Sequence, residues 1–453
     1  PAARAAIEHE CATCHMPMAH YQAKLEGRQG QVFANVDPAA PEYAMAADGV
    51  SCAVCHQISD RNFGRRESFV GHFIIDPSNG GTGRPAYGPF KVDAGRTRIM
   101  RSSSGFTPTE SAHIRKSELC ATCHTLYTKA LGPQGQVLGE LPEQVPYQEW
   151  LHSAYRAEKS CADCHMRPVE EPVAISSVLG VPREGVARHT FAGGNFLMPR
   201  ILNRFRYELG VAAPPQELEA AVTRTVQHLQ SEAARLEVAA FEVRAGRLLA
   251  EVLVENLGGH KLPTAYPSRR VWLHVLLRDA DGRVLFESGA TRPDGSIEGN
   301  DNDADAALYE PHHAEITGAA EVQIYESIMG DPAGVPTTGL LSGVKYLKDN
   351  RVLPRGFDKR TADKDVAVAG SAAADEDFTG GRDRVRYSVA VGDGRAPFQL
   401  EVALRYQPVS FRWAANLRKY DAPEPRRFTR YYDAVAGASA VTLARASASY
   451  QNR

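Results

Sequence analysis

All eight cysteines of this 453-residue chain fall in four C-x-x-C-H units: Cys11/Cys14 with His15, Cys52/Cys55 with His56, Cys120/Cys123 with His124, and Cys161/Cys164 with His165. Four C-x-x-C pairs alone would also suit two zinc sites, and eight cysteines in an exported chain would suit four disulfides. The trailing histidine separates these readings. With 15 His in 453 residues, four such coincidences have odds of roughly one in a million, and zinc requires no histidine there. The unit has a mechanical basis for haem c. Two thioethers tie a porphyrin to one short turn, and the adjacent His reaches the iron from the same side. Thioether attachment takes place outside the cytoplasmic membrane, so the motif also implies an extracytoplasmic location: periplasm, outer cell surface or extracellular space.

The four motifs lie within residues 11–165, about forty residues per group, too few for each porphyrin to have its own apolar shell. The haems are therefore expected to form the core of a mostly irregular and α-helical N-terminal domain over 1–200. The run Pro77-Ser78-Asn79-Gly80-Gly81-Thr82-Gly83 fits sparse regular structure. A repeat is visible in the spacing, since Cys11 to Cys120 and Cys52 to Cys161 are both 109 residues. Gln29-Gly30-Gln31-Val32 answers Gln134-Gly135-Gln136-Val137, and Ser51 answers Ser160. A duplicated two-haem unit and a coincidence of spacing both remain open at this point.

After Cys164 the remaining 289 residues contain no cysteine. A linker with an amphipathic helix is expected over 201–237. Pro214-Pro215 opens it, and Leu218, Val222, Val226, Leu229, Ala233 and Leu236 recur at helical spacing. His228 on that helix reads as a surface residue. From 238 the period changes to that of strands, at 248–255, 271–278, 284–287, 322–325, 385–391 and 399–406, with Asp279-Ala280-Asp281-Gly282 as a hairpin turn. This predicts a C-terminal antiparallel β-sandwich of immunoglobulin-like type over 238–453, with a long inserted loop or lid at 328–382.

The stretches GVSCAVCHQI (49–58), ELCATCHTLYT (118–128), EWLHSAYRAEKSCADCHM (149–166), HTFAGGN (189–195) and GHKLPTAYPSRRVWLHV (259–275) resemble a family of secreted tetrahaem c-type cytochromes. Its members have a haem-rich N-terminal region and a β-rich C-terminal domain. The resemblance implies electron transfer outside the cytoplasm between a redox donor and a redox acceptor, without naming a pathway. It leaves open a subunit of an extracellular haem filament or oligomer, and a multihaem redox enzyme with one open haem. The net charge of -2 gives no footing for nucleic acid, and no stretch of about 18 apolar residues spans a bilayer. The start, Pro1-Ala2-Ala3-Arg4, has no signal-peptide core, as expected of an already trimmed chain.

The sixth iron position decides whether a haem only changes redox state or also binds substrate. Eleven His besides the proximal four are enough to close every iron. His20, His72, His113 and His189 form the leading distal set, and His260, in a Gly-Gly-His-Lys-Leu-Pro loop, is a ligand that would fasten the β domain to the haems. His9, His152 and His312 are reserves, His274 alternates along a strand with Trp272, and Met16, Met18 and Met198 would give a His/Met haem. The acidic run 294–305 is a candidate Ca²⁺ loop, with a solvated acidic loop as the alternative.

Overall fold

In the computed structural model, residues 2–76 and 83–451 are described, so the run at 77–82 lies outside the described residues. The chain divides into two compact units. The first comprises 1–127, 131–137 and 158–191, and the second 128–130, 138–157 and 192–453.

The first unit is built from short helices and two-stranded pairings. Helices Ala2–His15, Cys52–Cys55, Ser117–Ala121 and Cys161–His165 each carry a cysteine motif or run into one. On one turn of helix, residues three apart share a face, so both cysteines of a motif look the same way. The turn continues past Cys120, where the amides of Cys123 and His124 both bond its carbonyl, at 3.2 and 2.9 Å. Strand Arg84–Gly88 pairs in parallel with Phe106–Glu110, and helix Ala94–Ser104 makes the crossover. Asp93 caps that helix by accepting from the Gly95 and Arg96 amides, and Gly105, left-handed at φ 77, ends it. The buried apolar residues of this unit are mainly small, Ala12, Ala19, Ala23, Ala46 and Ala121 among them.

The second unit has an ordinary large-residue core. One sheet has four strands in the order Glu315–Ile316, Arg382–Ala390, Arg247–Asn256, Ala234–Arg244. The other has seven, with Pro336–Thr337, Ile324–Gly330, Arg270–Arg278, Phe398–Gln407 and Val441–Tyr450 in sequence, Val284–Ser288 added to Arg270–Arg278, and Lys345–Asp349 added to Ile324–Gly330. All described pairings here are antiparallel except Glu315–Ile316 on Arg382–Ala390. Phe286 of one sheet meets Tyr387 of the other edge-on, with ring centres 6.3 Å apart. Helix Pro215–Glu232 starts on its proline and buries Val222 and Leu229.

Three features differ from the sequence expectation. Segment 328–382 is packed rather than a loose lid: Ser327 pairs with Asp349 in the sheet, and Val352, Leu353 and Phe378 are fully buried. Residues 138–157 join the second unit, because Glu149 is bound there by Arg351, Thr264 and the Lys261 amide. The segment from 192 onward also groups with that unit, earlier than the expected boundary at 200.

Candidate haem-attachment site

The first unit brings the four motifs together. The Cys14 and Cys123 thiols are hydrogen-bond partners, and so are those of Cys120 and Cys161. A hydrogen bond from a backbone amide accompanies each meeting. Gly71 donates to the Thr122 carbonyl at 2.7 Å, and a Cβ at Gly71 would lie 3.0 Å from Cys14 Sγ; its φ of 74 also suits glycine. The Cys161 amide donates to Ser117 Oγ at 3.1 Å, tying the fourth motif to the helix of the third. The charge of Cys55 is also felt by Cys120 and Cys123. As free thiols these groups differ sharply: the bond from Cys120 holds Cys161 down at about 7, while the same bond and burial push Cys120 well above its ordinary value. Thioether formation removes those protons.

The two CATCH turns repeat each other locally. Thr13 Oγ1 donates to the Glu10 carbonyl at 2.7 Å and Thr122 Oγ1 to the Leu119 carbonyl at 2.8 Å. Each hydroxyl also lies beside the next cysteine, at 3.6 and 3.8 Å. The other two motifs are less alike, since Ser160 forms a capping box with Asp163 and Ser51 makes no side-chain cap.

A carbonyl can only accept, so it fixes the tautomer of a histidine that faces it. His56 Nδ1 meets the Tyr87 carbonyl at 2.5 Å and therefore carries the proton, leaving Nε2 as a bare lone pair. His189 Nδ1 does the same with the Ala187 carbonyl at 3.2 Å. His113 is arranged the other way: its Nε2 donates to the Ile58 carbonyl at 2.8 Å and its Nδ1 meets Ser111 Oγ at 2.6 Å. Both of its nitrogens are engaged, so this ring would have to give up a buried bond to bind iron. His20 is half-buried, with Nδ1 unpartnered among the described residues. Burial first, then the charges of His9, Lys24 and His72, hold it down to about 4. The His9 ring lies 5.2 Å from it, and His72 is exposed.

Other candidates sit in the second unit. His152 Nδ1 bonds the Gln148 carbonyl at 2.8 Å and Nε2 accepts from the Asp363 amide at 3.4 Å. His260 Nδ1 faces the Lys261 carbonyl at 3.1 Å, in a loop where Gly259 packs on Trp150 and Tyr155. His274 pairs with Glu287 at 2.9 Å, and His228 with Glu232. In the first unit Met18 Sδ accepts from Ser51 Oγ, whereas Met198 belongs to helix Leu197–Arg204 of the second unit. The acidic loop spends its oxygens on protein donors: Asp294 on Ser296, Asp303 on Arg270 and the Ile297 amide.

His312, Asp375 and Asp383 bring three ligand atoms within 4.8 Å of one another, but their chemistry is not that of a metal centre. His312 Nδ1 accepts from Gln323 Nε2 at 2.8 Å and Asn350 Nδ2 at 3.1 Å. Both amides are oriented by backbone N–H groups of His313 and Glu326. The proton therefore sits on Nε2 and is donated to Asp375 Oδ2 at 3.1 Å; a cation there would leave an imidazolate. Burial holds His312 down to about 4 and Asp383 up to about 7. The raised acid stabilises the fold at low pH and loses that contribution as pH rises through 7. The depressed histidine does the opposite, losing its contribution as pH falls from 6.5. Between about pH 4 and 6.5 the two slopes oppose each other. Asp383→Asn should therefore gain stability relative to the parent by up to about 1.4 kcal/mol per pH unit across that window, read by denaturant unfolding at several pH values; a pH-independent difference would mean that Asp383 is ionised in the folded state.

The first unit suits a large flat apolar group. Its few buried apolar side chains are mainly small, His20 offers an orphaned buried nitrogen, and fourteen of the twenty large apolar side chains exposed among the described residues belong to it, including Val173, Ile175, Val178, Leu179 and Phe191. Apolar surface of that extent is normally covered.

The fold is that of a multihaem cytochrome structure. The chain is similar to a penta-heme cytochrome c552 from Thermochromatium tepidum, with 16% sequence identity, a TM-score of 0.50, and coverage of 97% of this chain and 83% of that one. No family model matches, and no curated protein sequence does. Among the described residues, no helix is long and apolar enough to cross a membrane.

Proposed function

We propose that this chain is an extracytoplasmic electron-transfer protein with four covalent haems c, held by Cys11/Cys14, Cys52/Cys55, Cys120/Cys123 and Cys161/Cys164, with His15, His56, His124 and His165 as proximal ligands. The observation that carries the reading is the convergence of four C-x-x-C-H turns in one unit, three of them thiol against thiol. The fold of the penta-heme neighbour supports it. Haem c supplies a one-electron couple. The chain's part is to fix the order of the sites. The third motif is the junction: Cys123 faces Cys14 and Cys120 faces Cys161, so its attached group adjoins two others, and Cys55 lies close enough for its charge to be felt. Second axial ligands come mostly from histidine, and His20 and His189 are the best placed. The partners are a redox donor and a redox acceptor.

Mass spectrometry of the denatured chain should show four haems, because thioethers survive unfolding. The reduced protein should be low-spin and insensitive to carbon monoxide. A mass short of four haems would refute the attachment reading, and a large high-spin fraction would favour an enzyme with an open iron.

A further inference from the structure

The His56 and His189 rings have centres 6.1 Å apart and planes only 25° from parallel. Two imidazoles on opposite sides of one metal, each bonded at about 2 Å with its ring centre ~1 Å beyond the nitrogen, have centres about 6 Å apart. His9 and His20, at 5.2 Å and 57°, are too close for that arrangement. As derived above, backbone carbonyls of Tyr87 and Ala187 hold both Nδ1 protons and leave both Nε2 lone pairs available, the outer-shell arrangement usual for metal-bound histidine.

The backbone around His189 is also unusual. Phe191 has φ 45, a conformation that a bulky side chain rarely adopts and that persists where surrounding structure demands it. Its ring stands edge-on to His189 at 5.8 Å and is 61% exposed. An exposed phenylalanine on a strained turn beside an exposed histidine stabilises nothing by itself. Against a porphyrin face or edge, both would be covered.

We infer that His189 is the second axial ligand of the iron bound by His56, so that the group attached at Cys52/Cys55 is closed by a segment 133 residues further along the chain. This rests on the haem reading above. Its failure is distinguishable, because the number of haems and the coordination of one of them are measured separately.

The test uses the intact holoprotein. His189→Ala should keep four haems by mass, convert one of the four irons to high spin, and bind one equivalent of carbon monoxide per chain. Added imidazole should restore the low-spin spectrum, which a merely structural loss would not allow. His189→Met should keep that iron six-coordinate but raise one potential, a readout that survives if the alanine variant matures poorly. In a Cys52→Ala/Cys55→Ala background, which lacks the second haem, His189→Ala should leave the spectrum unchanged. Four haems with an unaltered, carbon monoxide-silent spectrum in His189→Ala would overturn the inference while leaving the proposed function intact. A new high-spin iron in the Cys52→Ala/Cys55→Ala background would overturn the pairing with His56. Fewer than four haems in the parent protein would instead strike the haem reading itself.

Discussion

Replacing Cys120 and Cys123 together with alanine should yield a chain with three haems in which electrons no longer equilibrate rapidly among the remaining sites. The reason is positional. Each Sγ is one carbon removed from its macrocycle, so thiols in hydrogen-bond contact put the attached rings side by side. Cys123 makes that contact with Cys14 and Cys120 with Cys161, so the third motif touches both the first and the fourth. Deleting the third site therefore leaves a gap where a stepping stone stood. Rapid mixing with reductant should show redistribution between sites slowed by orders of magnitude. The matching variant Cys52→Ala/Cys55→Ala leaves both thiol contacts of the third motif in place, and it should leave redistribution among the other three near the parental rate. Equal slowing in both variants, or none in either, would mean that the third motif is not the junction.

What the sequence made legible is what local chemistry controls. The cysteine motifs, helix Pro215–Glu232 and strands such as Arg247–Asn256 and Phe398–Gln407 are each specified within a short window, by spacing or by a period of 3.6 or 2. Strand Val441–Tyr450 was hidden because its alternation is of alanine and serine, which carry little hydrophobic contrast. Strand Ala234–Arg244 was hidden because it follows the preceding helix after one residue, with no turn residue to mark the change. Of the pairs that the 109-residue spacing relates, Cys14 and Cys123 touch, but the other thiol contact, Cys120 with Cys161, is not one of them. Histidine roles were not legible, because they depend on the atom facing each ring nitrogen. His113 looks well placed along the chain, yet it is buried with the Ile58 carbonyl on its Nε2 and Ser111 on its Nδ1; at exposed His189 the carbonyl takes Nδ1 instead. Nor could spacing show that two of the stretches behind the family resemblance, 149–166 and 259–275, meet. Glu149 accepts from the Lys261 amide at 3.1 Å and from Thr264 Oγ1 at 2.5 Å.

That meeting leads to the largest stability effect expected in the second unit. Lys261 and Glu149 are fully buried, and Asp349 and Arg351 nearly so, so four charges share one dry site with a net charge of zero. Asp349 binds Lys261 Nζ at 2.7 Å and Arg351 through two guanidinium nitrogens at 2.8 and 2.7 Å; Arg351 also reaches Glu149 at 2.8 Å. Burial alone would raise the Asp349 carboxyl, but Arg351 and Lys261 overcome it and hold the group down at about 2. Its stabilising contribution is therefore present above the unfolded value near 4 and lost as pH falls toward 2. Asp349→Ala leaves one buried cation in excess and should cost about 3–5 kcal/mol at neutral pH, read by denaturant unfolding. A double replacement, Asp349→Leu with Lys261→Met, removes one charge of each sign and fills the space with apolar side chains. It should be destabilised by less than the sum of the two single variants, because the single changes each strand a charge and the double does not. Additive losses would mean that water reaches the site and screens the pair, and that residues 138–157 are held to the sheets by packing instead of by this network.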